Sequence, residues 1–416
     1  MERLAALVFD GAPPIRVGGL TLTERAIRLA DRAGLDPIYV WGLRAIDPDS
    51  AARLRSRGIT PVQLPPEPSP LEGTGGDESI VAVGPNVLFG PTLLAALAGR
   101  TGGSAENQAT AASDTVTPLL IYLPPEARAD VLRCRSLEEM AARLTTREAL
   151  QDIPLAGMFC RRITGKDVVP AAERDYIRHL TGKDESYFTK KIRRFSVPLT
   201  TWLVRLRLSP IHVTLGGLAL AIASAWCIAQ GSYAAGLLGA MLYYTSMIFD
   251  CSDGEVARVT LREGPFGAWL ETVVDYVTYF LILAAITTAS QTRPDAQAYR
   301  VAATIALVGS VVVAMVAGYL RHRVAAADPG QFDDASAKAL ASASRFHRFA
   351  RWGRQWIKRS SLAHLVVFLA LIGQLPVLLY LWAFGATVAT VVILGVEPFV
   401  VRRVAIGPGA GRVRRG

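Results

Sequence analysis

Residues 250–275 read DCSDGEVARVTLREGPFGAWLETVVD and lie between two strongly apolar runs. Runs of that length and composition suit membrane-spanning helices, each taking ~20 residues. Asp250, Asp253, Glu271 and Asp275 therefore fall at the ends of such helices, where a carboxylate is expensive and is functional by default. Residues three or four apart share a helix face. Asp250, Asp253, Gly254 and Ala257 share one at the end of the first helix; Gly267, Glu271 and Asp275 share one at the start of the next. The short link VTLREGPF makes the two helices antiparallel neighbours. At an interaxial distance of ~8–10 Å the four carboxylates are expected to converge. Divalent cations would relieve their repulsion, and an all-oxygen donor set favours Mg²⁺ or Mn²⁺ over zinc. The glycines leave room for a phosphate to approach, and Arg258 supplies a fixed charge suited to phosphate or pyrophosphate. The alternating ligands of an EF-hand are missing. Cys251 reads as a small filler, since a hard oxygen site does not want a thiolate.

Further apolar runs surround this stretch: 212–229, 233–249, 268–289, 301–320 and a block at 361–401. The last is long enough for a helical hairpin turning near Gly373-Gln374-Leu375-Pro376 or nearer Gly385. Six spans are expected. The segment after the fourth run and the tail are rich in Arg and Lys, whereas the opposite connections are nearly uncharged. That asymmetry places both termini and the acidic stretch on the cytoplasmic side of a multi-pass cell membrane protein. SYFTKKIRRFSVPLTTWLVRLRLSP (186–210) alternates basic with aromatic and apolar residues, as a helix lying in the membrane interface does. RFHRFARWGRQWIKR (345–359) reads the same way.

Hydrophobic residues make up 51% of the chain, and the excess lies after about residue 200, so the first half is a soluble domain ahead of a membrane bundle. The net charge of +10 sits beside the apolar spans, which points to anionic lipid headgroups rather than nucleic acid. Cys134, Cys160, Cys227 and Cys251 show no CxxC or Cys/His spacing, so neither a disulfide framework nor a zinc site is indicated. The start, MERLAALVFDG, has no basic region and too short an apolar run for a signal peptide, so the first domain is expected in the cytoplasm. In that half LAALVFD (4–10), IYVWG (38–42), IVAV (80–83) and PLLIYL (118–123) read as strands. Helices are expected at 22–34, near 91–99 and at 136–145. Strands alternating with helices imply a parallel βαβ sheet. PPEPSPLEGTGGDE and GRTGGSAENQATAASD read as loops. The expected organisation is an α/β domain at 1–160, a linker and interfacial helix at 161–210, a six-helix membrane domain at 211–404 and a basic tail at 405–416.

Asp250-xx-Asp253-Gly254-xx-Ala257-Arg258, eight residues, then Gly267-xxx-Glu271-xxx-Asp275 resembles the signature of the CDP-alcohol phosphotransferase family, DxxDGxxAR with eight residues before GxxxDxxxD. Glu271 stands where the family has Asp. SPIHVT before the first span looks like the family's TPNxVT, with Ile211 in place of Asn. The resemblance covers roughly residues 185–403. It implies transfer of a substituted phosphate from a CDP-alcohol donor to an acceptor hydroxyl on a lipid or on a polyol or its phosphate, releasing CMP. It further implies two divalent ions, Mg²⁺ or Mn²⁺, on Asp250, Asp253, Glu271 and Asp275. Asp275 would double as the base, and Gly254, Ala257, Arg258 and Gly267 would line the CDP site. A homodimer in contact with membrane lipids is also implied. The first half resembles a nucleotidyltransferase domain, and the domain order resembles bifunctional inositol-phosphate cytidylyltransferase/di-inositol-phosphate-phosphate synthases. Its phosphate loop is degenerate, however: Gly11-Ala12-Pro13-Pro14-Ile15-Arg16 has two prolines that remove amide donors, and no Lys follows. A phosphatidyltransferase using CDP-diacylglycerol, and a silent membrane scaffold or transporter, are the alternatives.

Overall fold

The computed structural model describes residues 4–325 and 359–405, except 12–13, 43–45, 66, 68, 73, 75–77, 99–108, 115–116, 147–149, 153–156 and 181–186. The chain forms two compact units. One comprises Met1–Lys183, Val197–Ser209 and Gly254–Glu263; the other comprises Asp184–Ser196, Pro210–Asp253 and Gly264–Gly416.

The first unit is built on β1 (Leu4–Phe9), whose residues from Ala5 on are buried. Alternate side chains serve opposite faces of a sheet, and here Ala6 and Val8 enter one core while Leu7 and Phe9 enter another. In chain order there follow β2 (Arg16–Val17), β3 (Leu20–Thr21), α1 (Leu22–Arg32), β4 (Ile38–Trp41), α2 (Pro48–Arg55), β5 (Val62–Leu64), β6 (Ser79–Val83) and β7 (Val87–Phe89). Next come α3 (Pro91–Ala98), β8 (Ala109–Asp114), β9 (Thr117–Leu123), α4 (Pro125–Val131), α5 (Leu137–Thr146), β10 (Leu150–Asp152), β11 (Cys160–Arg162) and α6 (Val169–Leu180). The main sheet runs β10-β8-β9-β6-β1-β4-β5. It is parallel around β1, as the alternation of strands and helices predicts, but β9 runs antiparallel to both β6 and β8. Residues 109–114, expected as loop, form β8. Pairing on both sides, with β9 and β10, outweighs the weak strand preference of Ala, Ser and Asp.

Helix α1 starts where Thr21 accepts a hydrogen bond from the Glu24 amide at 3.1 Å. Its apolar face, with Ala26, Ile27, Leu29 and Ala30, is buried in the core. Its polar face is buried too. Glu24 pairs with Arg28 at 2.5 Å and Arg53 at 2.6 Å, and Arg25 is 0% exposed, its guanidinium 5.1 Å from the Tyr176 ring centre. Burial in the interior keeps such charges only when they are partnered. The loop after β1 is closed over: a Cβ on Gly11 would stand 2.2 Å from Asn86 Oδ1, so the carboxamide lies against that backbone.

Helix α7 (Tyr187–Arg205) is amphipathic as expected. It exposes Tyr187, Lys190, Lys191, Arg194, Phe195 and Trp202 while burying Ile192, Ser196 and Leu203. The second unit then packs α8 (Pro210–Ala229), α9 (Tyr233–Val259), α10 (Pro265–Ala289), α11 (Ala296–Ala325), α12 (Arg359–Leu371) and α13 (Val377–Ala405) around a core of Ile228, Tyr243, Ile282, Ala306, Val366 and Leu379. Among the described residues, α8, α9, α10 and the 296–316 part of α11 are long and apolar enough to cross a membrane; the apolar parts of α12 and α13 are shorter. Large apolar side chains point outward, Trp226 at 68% and Phe384 at 72% exposed, which suits lipid rather than water. This is a membrane protein. The block 361–401 divides at Gly373, whose φ of 71° gives the left-handed turn that ends α12 before Pro376; Gly385 lies inside α13. The basic stretch 345–359 lies outside the described residues except for its last residue. The helices approach closely at glycines. A Cβ on Gly239 would stand 2.6 Å from Ile228 Cγ1 and 2.8 Å from the Ser224 carbonyl, and one on Gly309 would stand 2.9 Å from Ala386 Cβ.

Candidate active site

Helix α9 does not stop at the end of its apolar run but continues through Asp250–Arg258 to Val259. Asp250 and Asp253 therefore stand one turn apart, as their spacing predicts. Together with Ser246 they line a narrow cleft whose other walls are Thr214 and Gly217 of α8 and Val274 and Thr278 of α10. Asp253 is 3% exposed. The Thr214 hydroxyl donates to its Oδ2 at 2.7 Å and also lies 3.1 Å from the Pro210 carbonyl. Gly217 lets α8 come close, since a Cβ there would meet Phe249 Cβ at 3.3 Å.

Gly267, Glu271 and Asp275 form a ladder along α10, one turn apart. Asp275 is half-buried with its Oδ1 shut off from solvent, while Glu271 and Gly267 are exposed. The structure thus brings Asp250 and Asp253 together in one cleft and places Glu271 and Asp275 on one face of the neighbouring helix. Among the described residues, no three His, Cys, Asp or Glu side chains are gathered as a ready metal-holding group. The donors nonetheless fit a hard divalent cation in kind: carboxylates only, one of them deeply buried, with no thiolate or imidazole in the cleft lining.

Ala257 and Arg258 follow one turn on and are half-buried. The Arg258 guanidinium lies over Gly254, where a Cβ would be 3.3 Å from its Nη1. Its Nε is buried and makes no hydrogen bond among the described residues, which leaves a cationic donor available to an anion. Around Gly267 there is nothing within 4 Å of a would-be Cβ, so packing does not demand a glycine there. Gly267→Ala is expected to leave the unfolding free energy unchanged or raise it by up to about 1 kcal/mol, since alanine favours the helix and meets no clash there. A drop in turnover in the same variant would show that the open space serves a ligand; unchanged turnover would remove Gly267 from the site.

Sequence reasoning missed Thr214, Ser246 and Thr278. Thr214 ends the segment SPIHVT, so the signal was present but pointed to no acid. Glu255 is 1% exposed and accepts a 2.5 Å hydrogen bond from Thr200 of α7, on the side of α9 away from the cleft.

The carboxylates thus stand at the polar ends of two adjacent apolar helices, as the spacing within residues 250–275 predicts. No family model matches the chain. It is similar to the "Bifunctional IPC transferase and DIPP synthase" of Aquifex aeolicus, 26% identical over 145 residues, covering 34% of this chain and 33% of that protein. It is also similar to the "Archaetidylinositol phosphate synthase" of Methanothermobacter thermautotrophicus, 35% identical over 102 residues, covering 24% of this chain and 48% of that one. The matches therefore span about a third and about half of the relatives' lengths. Among solved structures, phosphatidylinositol phosphate synthase of Mycobacterium tuberculosis with CDP-DAG bound is 22% identical with a TM-score of 0.35, covering 54% of this chain and 98% of that chain. These relatives bear out the resemblance of the chain to the CDP-alcohol phosphotransferases.

Proposed function

We propose that the protein transfers a substituted phosphate from a CDP-alcohol to an acceptor hydroxyl and releases CMP, in phospholipid or polyol-phosphodiester synthesis. The observation that carries this reading is the pair Asp250 and Asp253, set side by side in a cleft walled by α8 and α10. Asp275 takes the acceptor's proton, a bond forms from the acceptor oxygen to the phosphorus bearing the alcohol, and the bond from that phosphorus to CMP breaks. Arg258, with Gly254, Ala257 and Gly267, receives the CDP part. Asp250, Asp253, Glu271 and Asp275 would hold Mg²⁺ or Mn²⁺, two ions by the family resemblance, and these when bound neutralise the pyrophosphate and the departing CMP. The Methanothermobacter relative is named as synthase of an inositol-phosphate lipid, which favours a polyol phosphate as acceptor and a lipid CDP-alcohol as donor. In this reading α8–α13 supply six spans, and the site and both termini face the cytoplasm. The basic surplus meets anionic headgroups, and two copies associate as a dimer. The first domain, its loop at Gly11 covered by Asn86, serves as scaffold rather than as a second enzyme.

The test is CMP release from a panel of CDP-alcohols with Mg²⁺ or Mn²⁺. Wild type is expected to turn over at least one donor. Asp275→Asn is expected to lower kcat by at least about a hundredfold, as loss of a general base does. Turnover indifferent to that change would sink the mechanism. No release with any donor would favour a scaffold or transporter.

A further inference from the structure

Gly254–Glu263, carrying the last turn of the motif helix and the link toward α10, belong to the first compact unit, with the α/β sheet. The link closes α9 with two backbone bonds, Arg262 amide to Ala257 carbonyl at 2.9 Å and Leu261 amide to Arg258 carbonyl at 3.3 Å. That closure needs a left-handed residue, usually glycine; here it is Leu261, at φ 51°. A leucine stays in that conformation only when its surroundings over-determine it. They do: Leu261 is 2% exposed and sits in the α/β core with Ile27 and Leu29.

Three arginines of that unit then reach the carbonyls a helix end leaves open. Arg25 donates to the Val259 carbonyl, Arg32 to the Leu261 carbonyl at 3.1 Å, and Arg57 to the same carbonyl at 3.2 Å. Arg32 also pairs with Glu263 at 2.7 Å. Gly18 makes the approach possible, since a Cβ there would stand 2.8 Å from the Val259 oxygen. Cations at a helix C-terminus are favoured by its dipole as well.

We propose that Arg25, Arg32 and Arg57, with Leu261, are positioning residues. They clamp the C-terminal turn of α9 and so fix where Ala257 and Arg258 stand on it. The part that concerns turnover rests on the phosphotransferase reading; the clamp itself does not. It gives the first domain a task that its closed nucleotide loop does not require it to perform.

The test uses the full chain in detergent, comparing wild type with Arg32→Ala/Arg57→Ala, Arg32→Lys and Leu261→Gly. Arg32 and Arg57 are exposed, so their variants fold, and Leu261→Gly keeps the left-handed turn while emptying its seat. Amides 256–264 are expected to exchange hydrogen at least about tenfold faster in the alanine pair and in Leu261→Gly, with β1 and β6 unchanged. CMP release is expected to lose about tenfold in kcat/KM for the CDP-alcohol, because Arg258 on the clamped turn receives the CDP part. Arg32→Lys, which keeps a cationic donor, should stay near wild type in both. Unaltered exchange would overturn the proposal. Faster exchange with unaltered kcat/KM would overturn it too, leaving the arginines a purely structural part. Should wild type release no CMP from any donor, the phosphotransferase reading fails by itself, and the exchange result alone decides the clamp.

Discussion

An Asp253→Asn chain is expected to release CMP about a thousandfold more slowly than wild type, a loss of about 4 kcal/mol in transition-state stabilisation. It should unfold at nearly the same temperature. The two halves of that expectation come from different properties of one side chain. Asparagine has the same shape and keeps an oxygen where the Thr214 hydroxyl donates, so the 2.7 Å contact between α8 and α9 survives. What disappears is the negative charge, which is nearly enclosed. Charge in such surroundings is screened far less than in water, so its removal is felt strongly by any cation or developing charge in the cleft. Turnover within about tenfold of wild type, in a variant shown to be folded, would take Asp253 out of the chemical machinery.

The second large effect concerns packing. Gly239→Ala places a Cβ 2.8 Å from the Ser224 carbonyl and 2.6 Å from Ile228 Cγ1. The isoleucine tip can swing, but the carbonyl cannot, because it belongs to the backbone of α8. The helices must separate, and the Ser224 hydroxyl, which donates to the Gly239 carbonyl at 2.7 Å, loses its geometry. Overpacking of this kind costs about 3 kcal/mol. It should appear as a lower midpoint in thermal unfolding followed by helical circular dichroism in detergent. Gly385→Ala is the control, since a Cβ there meets nothing within 4 Å. Equal midpoints for the two variants would mean that the close approach of α8 and α9 is not what the structure describes.

The parts legible in the sequence were those written in periodicity and charge. The three-residue step from Asp250 to Asp253 put both on one face, and they share one cleft. The unbroken apolar run of β1 announced a buried strand. What escaped detection depended on neighbours distant in the chain. Thr214 looked like one more residue of a span, since a single hydroxyl among apolar residues carries no period. Residues 109–114 have poor strand composition and become β8 only because strands on both sides pair with them. Leu261 gave no turn signal, because its left-handed backbone is imposed by the core that receives its side chain. Nothing in the sequence marked Arg25 for burial, which depends on Tyr176 and on a carbonyl far along the chain.

Leu261 also bears on how the gene could be divided. A coding segment ending at residue 183 would specify the whole sheet yet leave a leucine-sized hole in its core, because the filler is encoded some eighty codons further on, after two apolar helices. A segment starting at residue 184 would carry that leucine with nowhere to bury it. Neither piece is a transferable module, so shuffling, truncation or fusion at the apparent domain border would separate a side chain from its socket.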